Sequence, residues 1–201
     1  MARLSLNKTA LHREQSRLKQ FQRLLPSLDL KRRQLIAERL HARETLHASE
    51  AELDVLVAEV RDRLPMAGDD TLQFQDLARV TAVRLREHNL LGVHLPVLEG
   101  VDIDVAEYSA LTTPHWLDRY QEALRSALAL TVRLQVERER LRRLEQAVKR
   151  VTQRVNLFDK VLIPRTGENI RRIRIHLADG ERSAVVRAKL AKRKQAQGAR
   201  L

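Results

Sequence analysis

Residues 116–162 read WLDRYQEALRSALALTVRLQVERERLRRLEQAVKRVTQRVNLFDKVL, and this stretch decides the fold. Two series at seven-residue spacing run through it. One is Trp116, Ala123, Leu130, Glu137, Leu144, Val151 and Phe158; the other is Tyr120, Ala127, Leu134, Leu141, Val148, Val155 and Leu162. They are offset by four and three residues, the a/d seam of a helix lying along another helix. Thirteen of the fourteen positions are apolar or aromatic, and Glu137 is the exception. At about 1.5 Å per residue such a helix is roughly 70 Å long, and it cannot bury its stripe without a partner.

The partner is upstream. In residues 4–64 the a series is Leu4, Leu11, Leu18, Leu25, Arg32, Arg39, Leu46, Leu53 and Val60. The d series is Asn7, Glu14, Phe21, Leu28, Leu35, Ala42, Ser49 and Leu56. Arg32 and Arg39 interrupt the seam, and Leu35, Ile36 and Leu40 suggest a local change of face. Pro26 would cost a helix interior about 3 kcal/mol, which predicts a kink or break near residues 24–27. Two helical segments of this kind imply an all-α-dominated fold, a long antiparallel two-helix coiled coil with a small mixed head at the turn.

The divisions read as 1–64 (first shaft helix), 65–113 (acidic middle head) and 114–201 (second shaft helix with a basic tail). The first helix stops near Leu64-Pro65, and residues 66–70 are a loop. Residues 71–87 return to helical spacing, with Leu72, Leu77, Val80, Val83 and Leu85 apolar. Gly92, Pro96 and Gly100 punctuate the next stretch, and Val101, Ile103 and Val105 alternate with Asp102 and Asp104, an extended pattern. Thr113 and Pro114 suit a cap and the first position of a new helix. Past Ile163-Pro164 a further periodic piece carries Ile170, Ile173, Leu177, Ala184, Ala188 and Ala191, with Gly180 inside it. Residues 187–201 lose the apolar face and are expected to fray.

Composition agrees. Of 201 residues 32% are charged and 3% aromatic, with 6 Gly and 5 Pro, a long-helix composition. The absence of Cys excludes disulfides, thiolate metal sites and cysteine nucleophiles. No apolar run approaches a membrane span and the first residues lack a signal-peptide core, so the expectation is a soluble, cytosolic chain, held at a membrane only through partners. The net charge of +12 divides into +4 (1–64), −5 (65–114), +5 (115–164) and +8 (165–201). The basic end seeks an acidic surface.

Nothing points to catalysis. The chain has no phosphate-cradling Gly loop, no HExxH and no GxSxG. His41 and His47 do not share a face, and His88 and His94 flank a loop, so no metal site is expected. Asp102 and Asp104 read as a solvated face before a carboxylate pair. The run Arg187, Lys189, Lys192, Arg193, Lys194 has no interleaved aromatics and belongs to no DNA-binding motif, which favours solvent or acidic protein over nucleic acid.

Three blocks carry a resemblance. One is Arg154-Val155-Asn156 with Ile163-Pro164, then Ile170, Ile173, Glu181-Arg182 and Arg187-Ala188-Lys189-Leu190-Ala191-Lys192. Another is Leu6-Asn7-Lys8-Thr9, Arg17-Leu18-Lys19 and Leu30-Lys31-Arg32-Arg33-Gln34-Leu35. The last is Leu91-Gly92-Val93 with Pro96-Val97-Leu98-Glu99-Gly100. Together the chain resembles the D subunit of the vacuolar and archaeal-type rotary ATPases, with Lys8 where that family usually has Pro. The resemblance implies a non-catalytic central rotor shaft without cofactor or metal. Its end bearing both termini would lie in the ring of A and B subunits. Its head and lower shaft would meet the F subunit and the subunit linking the shaft to the membrane ring. The membrane is then met only indirectly, on its cytoplasmic face, and no nucleic acid is expected. Arg187, Lys189, Lys192, Arg193 and Lys194 would face acidic groups of the ring. The competing readings are a basic coiled-coil nucleic-acid-binding protein and the stalk of an export ATPase.

Overall fold

The computed structural model describes residues 4–68, 77–106, 108 and 114–198. The element order is α1 (Lys8–Arg63), a 3-10 turn (Pro65–Gly68), β1 (Ala78–Leu90), β2 (Val93–Val105), α2 (Leu117–Leu157), a π-helical turn (Phe158–Leu162) and α3 (Ile163–Gly198). The fold is helix-dominated, with one small two-stranded sheet among the described residues. Contacts gather into two units, one from Met1–Lys31 with Val151–Leu201, the other from Arg32–Arg150.

In the first unit α1 starts on Asn7, whose Oδ1 accepts the Ala10 N–H at 2.7 Å, an N-cap that explains a polar, exposed residue at a seam position. Glu14 faces Asn169 and Phe21 faces Phe158, so the two segments run antiparallel. The Phe21–Phe158 rings meet edge-on with centroids 5.4 Å apart. Val151, Val155, Ile170 and Ile173 are buried, with Ile173 at 0% exposure.

One proline expectation changes here. α1 runs unbroken through Pro26. Pro26 is exposed, as is Gln22, whose carbonyl would have accepted the missing N–H, so water can take that acceptor. The second shaft helix, by contrast, continues past Leu157 and through Ile163-Pro164. A π turn carries it into α3, with the Ile163 N–H bonded to the Phe158 carbonyl. The wider turn eases the clash that the Pro164 ring would make with the carbonyl four residues back.

That turn also shifts the seam. Sevenfold spacing carried past Leu162 reaches 165, 169 and 172, yet Thr166, Ile170 and Ile173 are the buried residues. The π turn absorbs one extra residue, and the buried series moves on by one. Residues 178–193 are all exposed, but the helix persists to Gly198 instead of fraying from 187, in keeping with its Ala, Lys, Arg and Gln content.

In the second unit the later part of α1 pairs antiparallel with α2. Glu50 meets Arg138 at 3.0 Å, Glu52 meets Arg133 at 3.7 Å, and Leu64 packs with Trp116 and Leu117. Leu35, Ala42 and Ser49, all d positions, are buried, whereas Leu40 is 51% exposed, so the seam does not change face. Arg32 and Arg39 stay half-buried in their a positions, as arginines can by laying their methylenes along apolar surface. All fourteen positions of the 116–162 seam are buried or half-buried.

The connection between these helices carries the sheet, and it corrects the helical reading of 71–87. Residues 71–76 lie outside the described residues; from Ala78 the chain is a strand, paired antiparallel with Val93–Val105. Val80 and Val83 are β-branched, and their pairing partners, Ile103 and Val101, come only after the turn. The extended piece expected at 101–105 begins at Val93. Leu91 (φ 53°) and Gly92 (φ 78°) form the two-residue turn, and Asn89 Oδ1 accepts the Gly92 N–H at 2.9 Å. Two positive φ values are what a type I′ hairpin demands. Gly100 opposes Arg84, and a Cβ there would stand 2.8 Å from Arg84 Nη2, so the missing side chain gives the guanidinium room to reach Asp102. α2 begins at Leu117, three residues after Pro114; Thr113 lies outside the described residues.

The sheet lies back along α2. At its base Gln121 Nε2 donates to the Ala106 carbonyl at 2.8 Å. Near its turn Arg143 Nη1 donates to the His94 carbonyl at 3.0 Å, and Leu95 beside it is 0% exposed. β2 therefore runs antiparallel to α2 and supplies the packed strand, while residues 81–89 of β1 are exposed.

Candidate partner-binding surfaces

The expected contact residues lie on α3, where they are not a stripe. At roughly 100° per residue, positions 189, 192 and 193 fall on one side of the helix and 187 and 194 on the other. Arg187, Lys189, Lys192 and Arg193 are exposed; the Lys194 side chain lies outside those described. Arg187 Nε bonds the Ser183 carbonyl of its own helix at 3.2 Å, and none of the four forms an ion pair among the described residues. The arrangement is a positive rod able to meet acidic groups from any side.

A second cationic feature in the same unit escaped the sequence reading. Arg13, Arg17 and Arg165 line a groove of about 430 Å³, at whose wall Glu14 is buried. Glu14 accepts from Arg17 Nη1 at 2.8 Å and from Asn169 Nδ2 at 3.3 Å. The i,i+4 spacing of Arg13 and Arg17 was visible; the approach of Arg165 from the other helix was not.

In the second unit the polar layer is on α2. Glu139 takes hydrogen bonds from Arg142 and Arg143, with distances of 2.6 to 2.8 Å. These bonds, Arg142's first, hold its carboxyl at about 2, and they raise Arg142 in turn. Tyr108 is raised because its hydroxyl donates to Asp118. Asp102 pairs with Arg84 at 2.6 Å and Asp104 accepts its neighbour Val105 N–H at 3.1 Å, so the two carboxylates serve the sheet separately. His94 meets Glu87 at 3.4 Å and His47 meets Glu50 at 3.8 Å. Among the described residues no three His, Asp or Glu side chains gather to hold a metal ion, and no helix is long and apolar enough to cross a membrane.

The family model for the ATP synthase D subunit matches residues 10–193. The chain belongs to the ATP synthase D-subunit family. Among its relatives, the V-type ATP synthase D subunit of Borreliella burgdorferi is 30% identical over 192 residues, covering 96% of this chain and 95% of that protein. The V-type ATP synthase D subunit of Chlamydia pneumoniae is 31% identical over 198 residues, covering 95% and 92%. That of Chlamydia muridarum is 32% identical over 199 residues, covering 96% of each chain. The match to the D-subunit family thus takes in α1, the sheet, α2 and nearly all of α3.

Proposed function

We propose that this chain is the central-stalk rotor subunit of a V/A-type rotary ATPase, carrying torque between the A/B ring and the membrane ion-translocating ring. The observation that carries the reading is the family match from 10 to 193, over an antiparallel helical framework. Family membership leaves the nucleic-acid-binding and export-stalk readings without support. The chain does no bond chemistry of its own. Its stiffness comes from the buried seam. Its partners, by the same reading, are the A and B subunits, the F subunit and the subunit linking the shaft to the membrane ring, which hold the chain at the cytoplasmic face.

The residues proposed to meet the ring are Arg187, Lys189, Lys192, Arg193 and Lys194. Screened contacts between such mobile charges and acidic groups are weak and non-directional, which lets a surface turn without locking. The test is co-expression with the A and B subunits, comparing the wild type with a variant carrying Gln at all five positions. The variant is expected to co-purify less at moderate salt and to lose ATP-driven ion transport. Undiminished assembly and transport would end the assignment of these residues, and failure of the wild type to co-purify would end the rotor reading.

A further inference from the structure

Of the chain's 5 prolines, the two within its α-helices are Pro26 of α1 and Pro164 of α3, and both belong to the first unit. At each the backbone is weakened in the same way. A proline has no N–H, so the Gln22 carbonyl loses its helical donor, and the π turn of Phe158–Leu162 loses the one that residue 164 would have supplied. A hydroxyl then takes a carbonyl close by. Ser27 Oγ donates to the Leu24 carbonyl at 2.8 Å, and Thr166 Oγ1 to the Leu162 carbonyl at 2.6 Å. Thr45 and Thr131 bond back in the same manner, but no proline stands beside them. Gly167 follows Thr166, and a Cβ there would meet nothing within 4 Å, so packing does not call for a glycine. Prolines, π turns and hydroxyls bonded back onto the helix are the causes of helix bending. The edge-on Phe21–Phe158 pair joins the two sites. The gap from Gln22 to Pro26 begins one residue past Phe21, and the π turn begins at Phe158. The helices are antiparallel, so the two gaps extend in opposite directions from that pair and together cover about three helical turns.

We infer that this stretch is a bending joint, in which both helices yield more readily than along the rest of the seam, about the Phe21–Phe158 pair. Either gap alone would bend one helix against the resistance of an intact neighbour. Placed back to back, each leaves the other free to follow. No residue of the π turn is buried and Pro26 is exposed, so water can reach the carbonyls that bending uncovers. The ring pair suits a pivot, since an edge-on aromatic contact has no hydrogen bond to break.

The chain has no Cys, so spin labels can be placed on it in chosen pairs. Pairs at equal sequence spacing, roughly 27 Å apart along one helix, allow the comparison in the full chain. His12→Cys with Leu30→Cys spans the joint on α1, and Gln153→Cys with Arg171→Cys spans it on the other helix. Leu40→Cys with Ala58→Cys and Thr131→Cys with Lys149→Cys are the controls, and all of these positions are exposed. Dipolar electron resonance should give distance distributions about twice as wide for the spanning pairs as for the controls. Pro26→Ala should narrow both spanning distributions, the second of them through the ring pair. Spanning pairs no wider than the controls would overturn the joint, and so would a Pro26→Ala variant that leaves the 153–171 distribution unchanged. If a labelled chain does not fold, amide hydrogen exchange of the wild type decides: residues 22–30 and 158–168 should exchange faster than 36–56 and 131–149, and equal protection refutes the joint.

Discussion

Replacing Leu144 by Ala probes the seam where it is tightest. Leu144 is an a position in the middle of α2 and 0% exposed. The substitution removes three carbons, worth about 0.8 kcal/mol each in transfer from water, so about 2.4 kcal/mol. Neighbours on both helices cannot fully collapse into the gap, and the cavity term brings the cost to about 3–4 kcal/mol. Leu30→Ala is the control, since Leu30 is 59% exposed on α1, and it should cost at most about 0.5 kcal/mol. Urea unfolding followed by far-ultraviolet circular dichroism measures both, and the Leu144 variant should also melt roughly 10 °C lower. If the two variants differ by less than about 1 kcal/mol, the seam is not what holds α2 in place and the packing argument fails.

Pro26→Ala restores a helix hydrogen bond in exposed α1 and should raise stability by about 2 kcal/mol after the loss of proline's restriction of the unfolded chain is discounted; an unchanged unfolding midpoint would mean that the proline costs nothing there. Leu91→Asn places at the first turn position a residue that tolerates positive φ, and a gain of about 1 kcal/mol in the same measurement is expected. Arg143→Ala frees the His94 carbonyl, and amide hydrogen exchange in residues 93–98 should quicken while that at Ala106, beside the Gln121 bond, stays as it was. Glu139 titrates below the ordinary carboxylate range, so whatever its Arg142 and Arg143 bonds contribute is complete above about pH 4.5 and fades as pH falls through about 2. A carboxyl NMR titration midpoint at the ordinary value would contradict that bonding.

The paired helices were legible because a sevenfold period over dozens of residues has no other economical reading. Glu137 stood out as the seam's irregularity, though the strand above it could not be foreseen. β1 is not legible in the sequence for a physical reason: Leu77, Val80 and Val83 fall at threefold spacing, and what makes the segment extended is its pairing with Val93–Val105 across the turn. The local cost of Pro26 predicts a break that does not occur, because the Gln22 carbonyl is exposed and α1 runs on. The basic run on α3 is legible from composition; the Arg165 that completes the groove beside Glu14 comes from a segment about 150 residues away, beyond any local pattern.

The π turn at Phe158–Leu162 works as a vernier between two stretches of one continuous helix. Without it, a single added residue would swing everything downstream by roughly 100° and present Arg165 and Arg172 to Glu14's side in place of Thr166 and Ile173. With it, the odd residue is taken up in one loose coil and the angular setting of the segment beyond is preserved. Removing one residue there, Lys160 for instance, should therefore leave Ile170 and Ile173 on the same bearing, whereas an equal deletion at Arg171 would point those two isoleucines in nearly opposite directions.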